Sequence, residues 1–580
     1  MKKVFLFFLS FISISLIAQT NVNCTDSNVA HILKGNYNPA TYLPATVLDF
    51  PDTIFKGVNA RVSSDSLKSY IFKMASFYNR NTASDTISNT VGIGAARRWV
   101  YSKFQQFSIA NQNRLLPSYL QFTLTTCGVS QHRNIMAVLP GIDTTDKSII
   151  IIEGHIDSRC ANVCDTVNKA EGVEDNASGA ALVMELARVM SKYSYHNTIV
   201  FMVTTGEEQG LYGGQAFVNY AKLKAIKIKA VLNNDVIGGI ICGYTSSAPS
   251  CPGYGNLDST QVRLFSYGSF NAPCKSLSRF IKLEYKENLA SVVSLPMQIN
   301  IMSPEDRTGR GGDHIPFRQG GYAAMRFTSA NEDGDANVTD TAYHDRQHTT
   351  GDSLGAYKVH GPHTTLDSLF INANYLARNT VINGNAAGML GIGPKQPDFL
   401  LTLVDTTSLR IQVTKQTQYK KYRIGIRTTT NDWDSVYTMS GTLVDTIKGL
   451  SAATYYVSIM SVDTNNIESL PSTEYTAKVT GIDELKNGGE GNIELLQNRP
   501  NPFDISTYIS VQVNKVMSYK EAYISIKDMQ GKEVKRLPVK LNAGINEVLF
   551  DHGYGVSGTY IYSLMIDGKL VQSRQMIFAN

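Results

Sequence analysis

Two nearly continuous apolar runs, each followed by a helical pattern, constrain the fold of this chain more than any other feature of its sequence. Residues 148–152 and 198–203 have the length of strands and the composition of strands buried on both faces. Apolar residues at helical spacing follow over 180–190 and 211–220. This alternation predicts an α/β fold, a mostly parallel mixed sheet with helices on both faces.

Shorter patterns extend this interpretation in both directions. Apolar residues at helical spacing predict helices over 64–77 and 95–107, ahead of the first buried strand. Further strands are predicted over 134–139, 230–232 and 323–327. The sheet is therefore expected to contain at least five strands.

With 580 residues the chain is too long for one hydrophobic core. Residues 25–390 are expected to form the large α/β domain, which ends in a glycine-rich stretch at 384–394 that predicts a domain boundary. Only short alternating segments follow, and they predict two small all-β sandwiches over 395–480 and 493–580. Residues 481–492 (GIDELKNGGEGN) have the composition of a linker.

The N-terminus has the composition of a secretory signal peptide. Lys2 and Lys3 precede a nearly uninterrupted apolar run to Ala18, which is short for a membrane-spanning helix. We expect residues 1–19 to be a signal peptide and the protein to be secreted or at the cell surface, after passage through the periplasm.

Seven cysteines occur, at positions 24, 127, 160, 164, 242, 251 and 274. An exported chain permits disulfides, and the odd number leaves at least one cysteine unpaired. Proximity alone makes Cys160 with Cys164, and Cys242 with Cys251 or Cys274, the candidate pairs. The sequence leaves the connectivity open.

The charge pattern argues against nucleic acid as a partner. The formal net charge is +5, and the lysines and arginines are scattered along the chain. Nucleic-acid-binding domains instead gather their cations on one face.

Polar side chains follow the ends of the predicted strands one after another. They are His155, Asp157, Asp175, Glu207, Glu208, Asp235 and, in one longer loop, His344 and His348. In an open α/β sheet, ligands bind at the carboxyl ends of the strands, where these residues are expected to meet. A single strand-end carboxylate often caps the next helix, but a series of this length predicts a site.

The residue types of this series predict a metal site. Carboxylates gathered in one cleft repel each other and raise each other's pKa unless a cation neutralises them. Imidazole nitrogen and carboxylate oxygen together suit zinc. The number of candidate ligands indicates two ions.

The motifs HID, EDNASG, TTGEEQGLYGG, NNDVIGG and QHTTGD resemble the motif set of co-catalytic di-zinc aminopeptidases of the bacterial leucyl aminopeptidase type, in peptidase clan MH. The resemblance covers about residues 90–390, in the order and spacing of the family. It implies a zinc exopeptidase fold, two Zn²⁺ ions, and hydrolysis of the N-terminal residue of peptide substrates.

The resemblance also implies a role for each ligand. Asp175 would bridge the two ions, His155 and Asp235 would complete one site, and Glu208 and His348 would complete the other. His344 lies four residues before His348 in the same loop, but the family's His-Thr-Thr motif favours His348.

Three further residues take roles from the same resemblance. Glu207 would be the general base that accepts a proton from water, and Asp157 would orient His155. The segment around His314 (GDHIPF) resembles a family segment that lines the cleft. A hydrogen-bonded structural role for His314 fits the sequence equally well.

The two β-domains carry resemblances of their own. Residues 396–480 resemble a fibronectin type III-like sandwich, with Trp433 early and ATYY late. Residues 493–580 contain QNRPNPF, DMQGK and GTYIYSLMIDGK, and they resemble the C-terminal sorting domain of the type IX secretion system. That resemblance implies the secretion machinery as a partner. A generic adhesive sandwich is the alternative.

Two other functions fit the same catalytic residues. A glutaminyl cyclase has the same fold and nearly the same ligands with one zinc ion, although the paired Glu207 and Glu208 favour a peptidase. An inert, peptidase-like surface adhesin is the non-enzymatic alternative. The intact set of ligands argues against it.

Overall fold

The computed structural model describes residues 19–242, 255–269, 271–307, 310–330, 332, 346–360, 363–480, 493–514, 518–551 and 557–579. Residues 1–18 of the predicted signal peptide and the predicted linker at 481–492 lie outside this set. The chain divides into one unit that ends at Val479 and a second that begins at Thr480.

Within the described chain, nine strands form one mixed sheet. They are β1 (Thr20–Cys24), β2 (Leu116–Thr126), β3 (Val129–Leu139), β4 (Ile149–His155), β5 (Thr198–Thr204), β6 (Ile228–Asn234), β7 (Gln261–Ser266), β8 (Gln298–Ile301) and β9 (Ala324–Ser329). Their order in the sheet is β1-β2-β3-β5-β4-β6-β9-β7-β8. The central strands β5, β4, β6 and β9 are mutually parallel, while β1, β2 and β3 pair antiparallel at one side.

Helices precede, connect and follow these strands. They are α1 (Ser27–Leu33), α2 (Pro51–Arg61), α3 (Ser64–Ala75), α4 (Gly92–Ala110), α5 (Ser178–Met190), α6 (Tyr212–Leu223), α7 (Pro273–Glu284), α8 (His314–Gln319) and α9 (Ala373–Ile392). A short 3₁₀ turn spans Pro39–Tyr42, and single π-helical turns span Val173–Ala177 and Tyr285–Leu289. The helices and strands that the sequence predicts are found within a few residues of their expected bounds.

The side chains of β4 show why its apolar run is continuous. Ile150 and Ile152 pack in one hydrophobic core with side chains of α3, α5 and α9. Ile149 and Ile151 pack in a second core on the opposite face with side chains of α1 and α6. All four are fully buried, and each burial stabilises the fold by about 1.5–3 kcal/mol. The predicted fold class, a mixed α/β sheet covered on both faces and followed by all-β elements, is confirmed.

The glycine-rich stretch predicted as a boundary is helical for most of its length, and the helix ends within it at Ile392, before β12 begins at Asp398. Residues 384–392 form the end of α9, and all of them are buried. A Cβ on Gly384 would lie 2.6 Å from Leu186 of α5, and one on Gly391 would lie 3.1 Å from Tyr195. The glycines therefore permit close helix packing and do not mark a flexible linker.

Strands β10 (Gly355–His360) and β11 (His363–Leu369) form a separate hairpin before α9. After α9 come the strands of the first sandwich: β12 (Asp398–Asp405), β13 (Ser408–Lys415), β14 (Lys421–Arg427), β15 (Ser435–Ser440), β16 (Val444–Ile447), β17 (Ala453–Val462) and β18 (Tyr475–Val479). They form a three-stranded sheet, β12-β13-β16, and a four-stranded sheet, β15-β14-β17-β18. Tyr422, Ile424, Val457 and Ile459 lie in the core between the sheets.

A buried ion network joins this first sandwich to the α/β domain. Glu474 accepts hydrogen bonds from Arg427 at 2.6 and 2.7 Å, from Arg279 of α7 at 3.3 Å and from the amide of Asn271 at 2.8 Å. Arg279 also lies over the ring of Trp433, 5.0 Å from its centroid. Glu474, Arg279 and Arg427 are all buried. The sandwich thus supplies the counter-charge for a fully buried arginine of the α/β domain.

Replacing Glu474 by glutamine is expected to destabilise the first unit by about 3–5 kcal/mol, because it leaves two buried guanidinium groups without their carboxylate. Urea denaturation followed by tryptophan fluorescence measures the effect, since both tryptophans of the chain, Trp99 and Trp433, lie in this unit.

The matched control for that change is Glu287→Gln. Glu287 joins the same two regions through Arg423 at 2.7 Å, but its side chain is 34% exposed. Its loss is expected to cost less than about 1 kcal/mol. Equal effects of the two substitutions would contradict the special role of the buried network.

The second unit contains another sandwich, formed by β19 (Ile493–Leu495), β20 (Ser506–Val513), β21 (Ala522–Lys527), β22 (Glu533–Pro538), β23 (Gly544–Asp551), β24 (Gly558–Ile566) and β25 (Lys569–Phe578). Its sheets are β19-β20-β23 and β22-β21-β24-β25. Phe503, Ile524, Phe550, Tyr562 and Leu564 lie in its own core.

The cysteines differ from the expectation based on proximity. Cys164 is bonded to Cys127, which lies in the turn between β2 and β3, and Cys160 is free and buried. Cys242 is in a disulfide, whereas Cys274 is free. The predicted Cys160–Cys164 pair was therefore wrong, and Cys274 is not the partner of Cys242. In the part of the chain that the structure describes, no helix is long and apolar enough to cross a membrane.

Candidate metal centre

The candidate site lies where three parallel strands, β4, β5 and β6, end together. His155 is the last residue of β4, Glu207 and Glu208 follow β5, and Asp235 directly follows β6. Asp175 lies in the π-helical turn that leads into α5. His348 lies before β10, and its side chain contacts Asp175 and Glu208. The parallel topology thus gathers residues that are far apart in sequence.

Asp175 lies between the two histidines. Its Oδ1 is 3.2 Å from Nε2 of His155, and its Oδ2 is 3.0 Å from Nε2 of His348. The carboxylate therefore offers one oxygen to each side of the site. This is the arrangement that a carboxylate needs in order to bridge two ions.

His155 presents one nitrogen to several carboxylates. Its Nδ1 lies 3.1 Å from the backbone carbonyl of Asp157, and a proton on Nδ1 donates a hydrogen bond there. Its Nε2 faces oxygens of Asp175 at 3.2 Å, Asp235 at 3.3 Å and Glu207 at 3.9 Å. A ring nitrogen that faces three carboxylate oxygens suits a cation held between them, as in a zinc site with an oriented histidine.

His348 occupies the other side of Asp175. Its Nε2 lies 3.2 Å from Oε2 of Glu208 and 3.0 Å from Asp175. Two overlapping groups of side chains have ligand atoms close enough to hold an ion, namely His155 with Glu207 and Asp235, and His155 with Asp175 and Glu208. The first group includes Glu207, to which the sequence assigns the role of base.

Burial controls the charges of these groups. It raises the pKa of Glu207 well above its usual range, and the Asp235 and Glu208 carboxylates raise it further, against the lowering effect of His155. Burial also acts to raise the pKa of Asp175, but hydrogen bonds from His155 and His348 hold it well below its usual range. The site therefore combines a fixed negative charge with a carboxyl group that holds its proton strongly. The buried nitrogen and oxygen ligands fit zinc.

Asp157 fixes the loop that carries both glutamates. Its Oδ2 accepts the amide of Glu208 at 3.1 Å, and its Oδ1 accepts the amide of Glu207 at 3.4 Å. Oδ1 is also 3.7 Å from Nδ1 of His155. The fully buried Asp157 carboxylate, which follows β4, therefore fixes the backbone of the two glutamates that follow β5.

Sequence reasoning gave no role to Asp352, although it ends the QHTTGD motif. Its carboxylate accepts the amide of Glu174 at 2.9 Å and the amide of Asp175 at 2.9 Å. It thereby fixes the backbone from which the Asp175 side chain extends.

Arg326 was also missed. It lies in β9, is fully buried, and contacts Asp235 at 3.2 Å, Asp306 at 2.7 Å and Glu332 at 2.9 Å. Burial acts to raise the pKa of Asp235, but Arg326 and His155 hold it below its usual value. An arginine inside an apolar strand run was the available signal, since a buried charge needs partners.

His314 is not part of the cluster. It begins α8, is fully buried, and its Nε2 lies 3.1 Å from the backbone carbonyl of Glu305 and 3.9 Å from Asp306. This is the hydrogen-bonded structural role that the sequence left open. The alternative ligand His344 lies outside the described residues.

An α/β sheet whose carboxyl edge gathers buried imidazoles and carboxylates defines a metal-dependent hydrolase. Residues 134–250 match the family described as Peptidase family M28. A probable zinc metalloprotease of Pyricularia oryzae is 29% identical over 404 residues, which cover 67% of this chain and 76% of that protein. Another, of Pyrenophora tritici-repentis, is 32% identical over 298 residues, which cover 49% of this chain and 67% of that protein.

Among solved structures, the LapA aminopeptidase of Legionella pneumophila is 18% identical, with a TM-score of 0.42, over 59% of this chain and 74% of that one. The identities and coverage of the sequence relatives settle the family. The chain belongs to peptidase family M28, and it is an enzyme of the peptidase class.

Proposed function

We propose that the chain is a secreted aminopeptidase that uses two zinc ions to remove the N-terminal residue of peptides. The position of Asp175, with one carboxylate oxygen toward each of two histidines, is the observation that carries this proposal. The names of the M28 relatives, probable zinc metalloproteases, support the choice of metal.

In this proposal each ion has its own set of ligands. His155 and Asp235 hold one, His348 and Glu208 hold the other, and Asp175 contacts both. When bound, a pair of zinc ions lowers the pKa of water to near neutrality and polarises the carbonyl of the scissile bond.

The protein's own residues handle the protons. With the ions bound, their positive charge would keep Glu207 ionised, so that its carboxylate accepts the proton of the attacking water and later passes it to the leaving amine. Asp157 fixes the backbone amide of Glu207 and so limits where that carboxylate reaches. Asp352 does the same for Asp175.

One assay separates the possible activities. Purified enzyme, loaded with zinc, is incubated with leucyl, arginyl and glutaminyl peptides, and the products are identified by mass spectrometry. Release of free N-terminal amino acids supports the proposal. Formation of pyroglutamate would instead identify a glutaminyl cyclase, and the absence of any product would indicate an inert adhesin.

We propose further that the two β-sandwiches have different tasks. The first, of fibronectin type III-like character, completes the catalytic unit through the Glu474 network described above. The second, residues 493–580, serves as a type IX sorting domain and directs the periplasmic protein to the outer membrane. The signal-peptide character of residues 1–19 and the separate core of the second sandwich support this assignment.

A chain that ends at Thr480 is therefore expected to hydrolyse peptides with kcat/KM within about 2-fold of the full-length enzyme, because a separate core folds independently. In the native host the same truncated chain is expected to accumulate in the periplasm. Cell fractionation with an activity assay measures both effects.

A second truncation provides the control. A chain that ends at Ile392 also lacks Glu474 and the first sandwich, and it is expected to lose stability and activity together. Normal external release of the chain that ends at Thr480 would show that residues 493–580 are not the export signal.

A further inference from the structure

Arg159 places a positive charge beside the second set of ligands. It lies two residues after Asp157, its Nε is 3.0 Å from Oε2 of Glu208, and one terminal nitrogen is 2.7 Å from Nδ1 of His348. Its side chain is 15% exposed. Within the described part of the chain, these two ligand residues are its polar side-chain partners.

The hydrogen-bonding capacity of His348 makes this arrangement dependent on metal. A guanidinium can only donate, so Nδ1 of His348 accepts from Arg159 and the ring proton sits on Nε2, toward the carboxylates. A histidine that binds a metal through Nε2 carries its proton on Nδ1 instead. His348 then has no acceptor left for Arg159.

Glu208 changes in the same way. As a metal ligand, its carboxylate shares its negative charge with the cation and no longer serves mainly Arg159. Metal loading therefore removes the His348 acceptor from Arg159 and weakens its pairing with Glu208. A partly exposed guanidinium in that state recruits another anion.

A second guanidinium approaches the same edge of His348. Arg310 lies 3.5 Å from Nδ1 of His348 and 3.1 Å from the side-chain oxygen of Gln347. The imidazole ring thus separates an acidic side, with Asp175 and Glu208 at Nε2, from a basic side at Nδ1.

Arg159 differs from the buried arginines of this domain. Arg80 donates to the carbonyls of Ile156 and Gly172, and Arg326 contacts Asp235, Asp306 and Glu332. Both are fully buried. The carbonyls that Arg80 binds are not proposed metal ligands, and of the three carboxylates that Arg326 contacts only Asp235 is one. Arg159 is partly exposed, and its side-chain partners are the proposed ligands Glu208 and His348.

We propose that Arg159, with Arg310 beside it, binds a carboxylate of the peptide substrate. The inference rests on the proposed peptidase function and adds a substrate class to it. A planar guanidinium suits a carboxylate because it donates two parallel hydrogen bonds. The carboxylate has two sources, the free C-terminus of a dipeptide or an acidic side chain at the N-terminal residue.

Two substrate pairs distinguish the sources. Leu-Gly is compared with Leu-Gly amide, and glutamyl p-nitroanilide is compared with glutaminyl p-nitroanilide. In the pair that contains the recognised carboxylate, the wild-type enzyme is expected to favour the carboxylate-bearing substrate by about 10- to 100-fold in kcat/KM. The other pair is expected to show no such preference. Arg159→Gln is expected to remove that preference, and Arg159→Lys to retain part of it.

The matched control is Arg536→Gln, which removes the same charge from an exposed residue of the second unit and is expected to keep the preference. Zinc affinity, measured by competition with a chromogenic chelator, is expected to be no weaker in Arg159→Gln than in the wild type. A weaker affinity would assign Arg159 to metal positioning and overturn the proposal.

Binding without turnover makes the test independent of the proposed reaction. Calorimetry on zinc-loaded Glu207→Gln enzyme measures the Kd of two ligand pairs, Leu-Gly with its amide and Glu-Gly amide with Gln-Gly amide. In one pair, the carboxylate-bearing ligand is expected to bind more tightly. Adding Arg159→Gln is expected to remove that difference in Kd. A preference in binding, together with no hydrolysis by the wild-type enzyme, would uphold the carboxylate site and reject the peptidase. Equal affinities within both pairs would reject the carboxylate site.

Discussion

Replacing Asp175 by asparagine is expected to lower the bound zinc from about two ions per chain to one or fewer and to reduce kcat by about 10³-fold or more. The side chain keeps its shape, but an amide offers one neutral oxygen where the carboxylate offers two charged ones. The oxygen between His155 and His348 is then lost on one side. Elemental analysis of dialysed protein measures the metal, and peptide hydrolysis measures kcat.

The control for this change is Asp52→Asn. Asp52 is exposed and pairs with Lys56 on the surface of α2, so its replacement is expected to leave metal content and activity unchanged. The backbone at Asp175 is held by Asp352 in both proteins, which preserves the local fold. Two tightly held zinc ions in Asp175→Asn would reject the bridging role.

The two adjacent glutamates are expected to fail in different ways. Glu207→Gln is expected to keep both ions and lower kcat by at least about 10²-fold, the usual loss for a missing general base. Glu208→Gln is expected to lose metal, because Oε2 of Glu208 lies 3.2 Å from the ligating nitrogen of His348. The two variants act as controls for each other, since they differ by one position and make the same chemical change.

The geometry makes this comparison decisive. Glu207 lies 3.9 Å from Nε2 of His155 and belongs to one of the two groups that could hold an ion. Metal loss in Glu207→Gln, with metal retained in Glu208→Gln, would reverse the assigned roles. Circular dichroism of both variants confirms that the fold is unchanged.

The sequence predicts the central sheet because its strands are buried on both faces. In runs such as Ile149–Ile152 every side chain is apolar, so neither face of the strand is suited to solvent. Parallel strands also bring their carboxyl ends to the same edge of the sheet. A residue that directly follows such a run is therefore predicted to lie at the carboxyl edge of the sheet. His155, Glu208 and Asp235 follow from that rule.

Residues that act through tertiary partners were not predictable in the same way. Asp352 binds the backbone of Glu174 and Asp175, more than 170 positions earlier in the chain. Arg159 follows HID and carries no signal of its own, since a lone arginine in a loop is most often a solvated side chain. Their roles depend on which loops meet, and local sequence does not contain that information.

Local sequence did not predict the helical conformation of the α9 glycines or the pairing of the cysteines, for related reasons. Glycine in a helix disfavours it by about 1 kcal/mol, yet burial against Leu186 and Tyr195 outweighs that cost. Cys164 is nearer to Cys160 in sequence, but the turn at Cys127 lies against its loop in space. Tertiary packing overrode the local preference in both cases.

The Glu474 network also bears on how such a protein can change during evolution. Recombination that exchanged the first sandwich at Gly393 would separate Glu474 from Arg279 and leave the buried charge of Arg279 without its carboxylate. An exchange after Val479 leaves the Glu474 network intact, because all of its members precede that residue. The natural junction for exchanging the second unit is therefore after Val479, and we expect the α/β domain and its first sandwich to be inherited together.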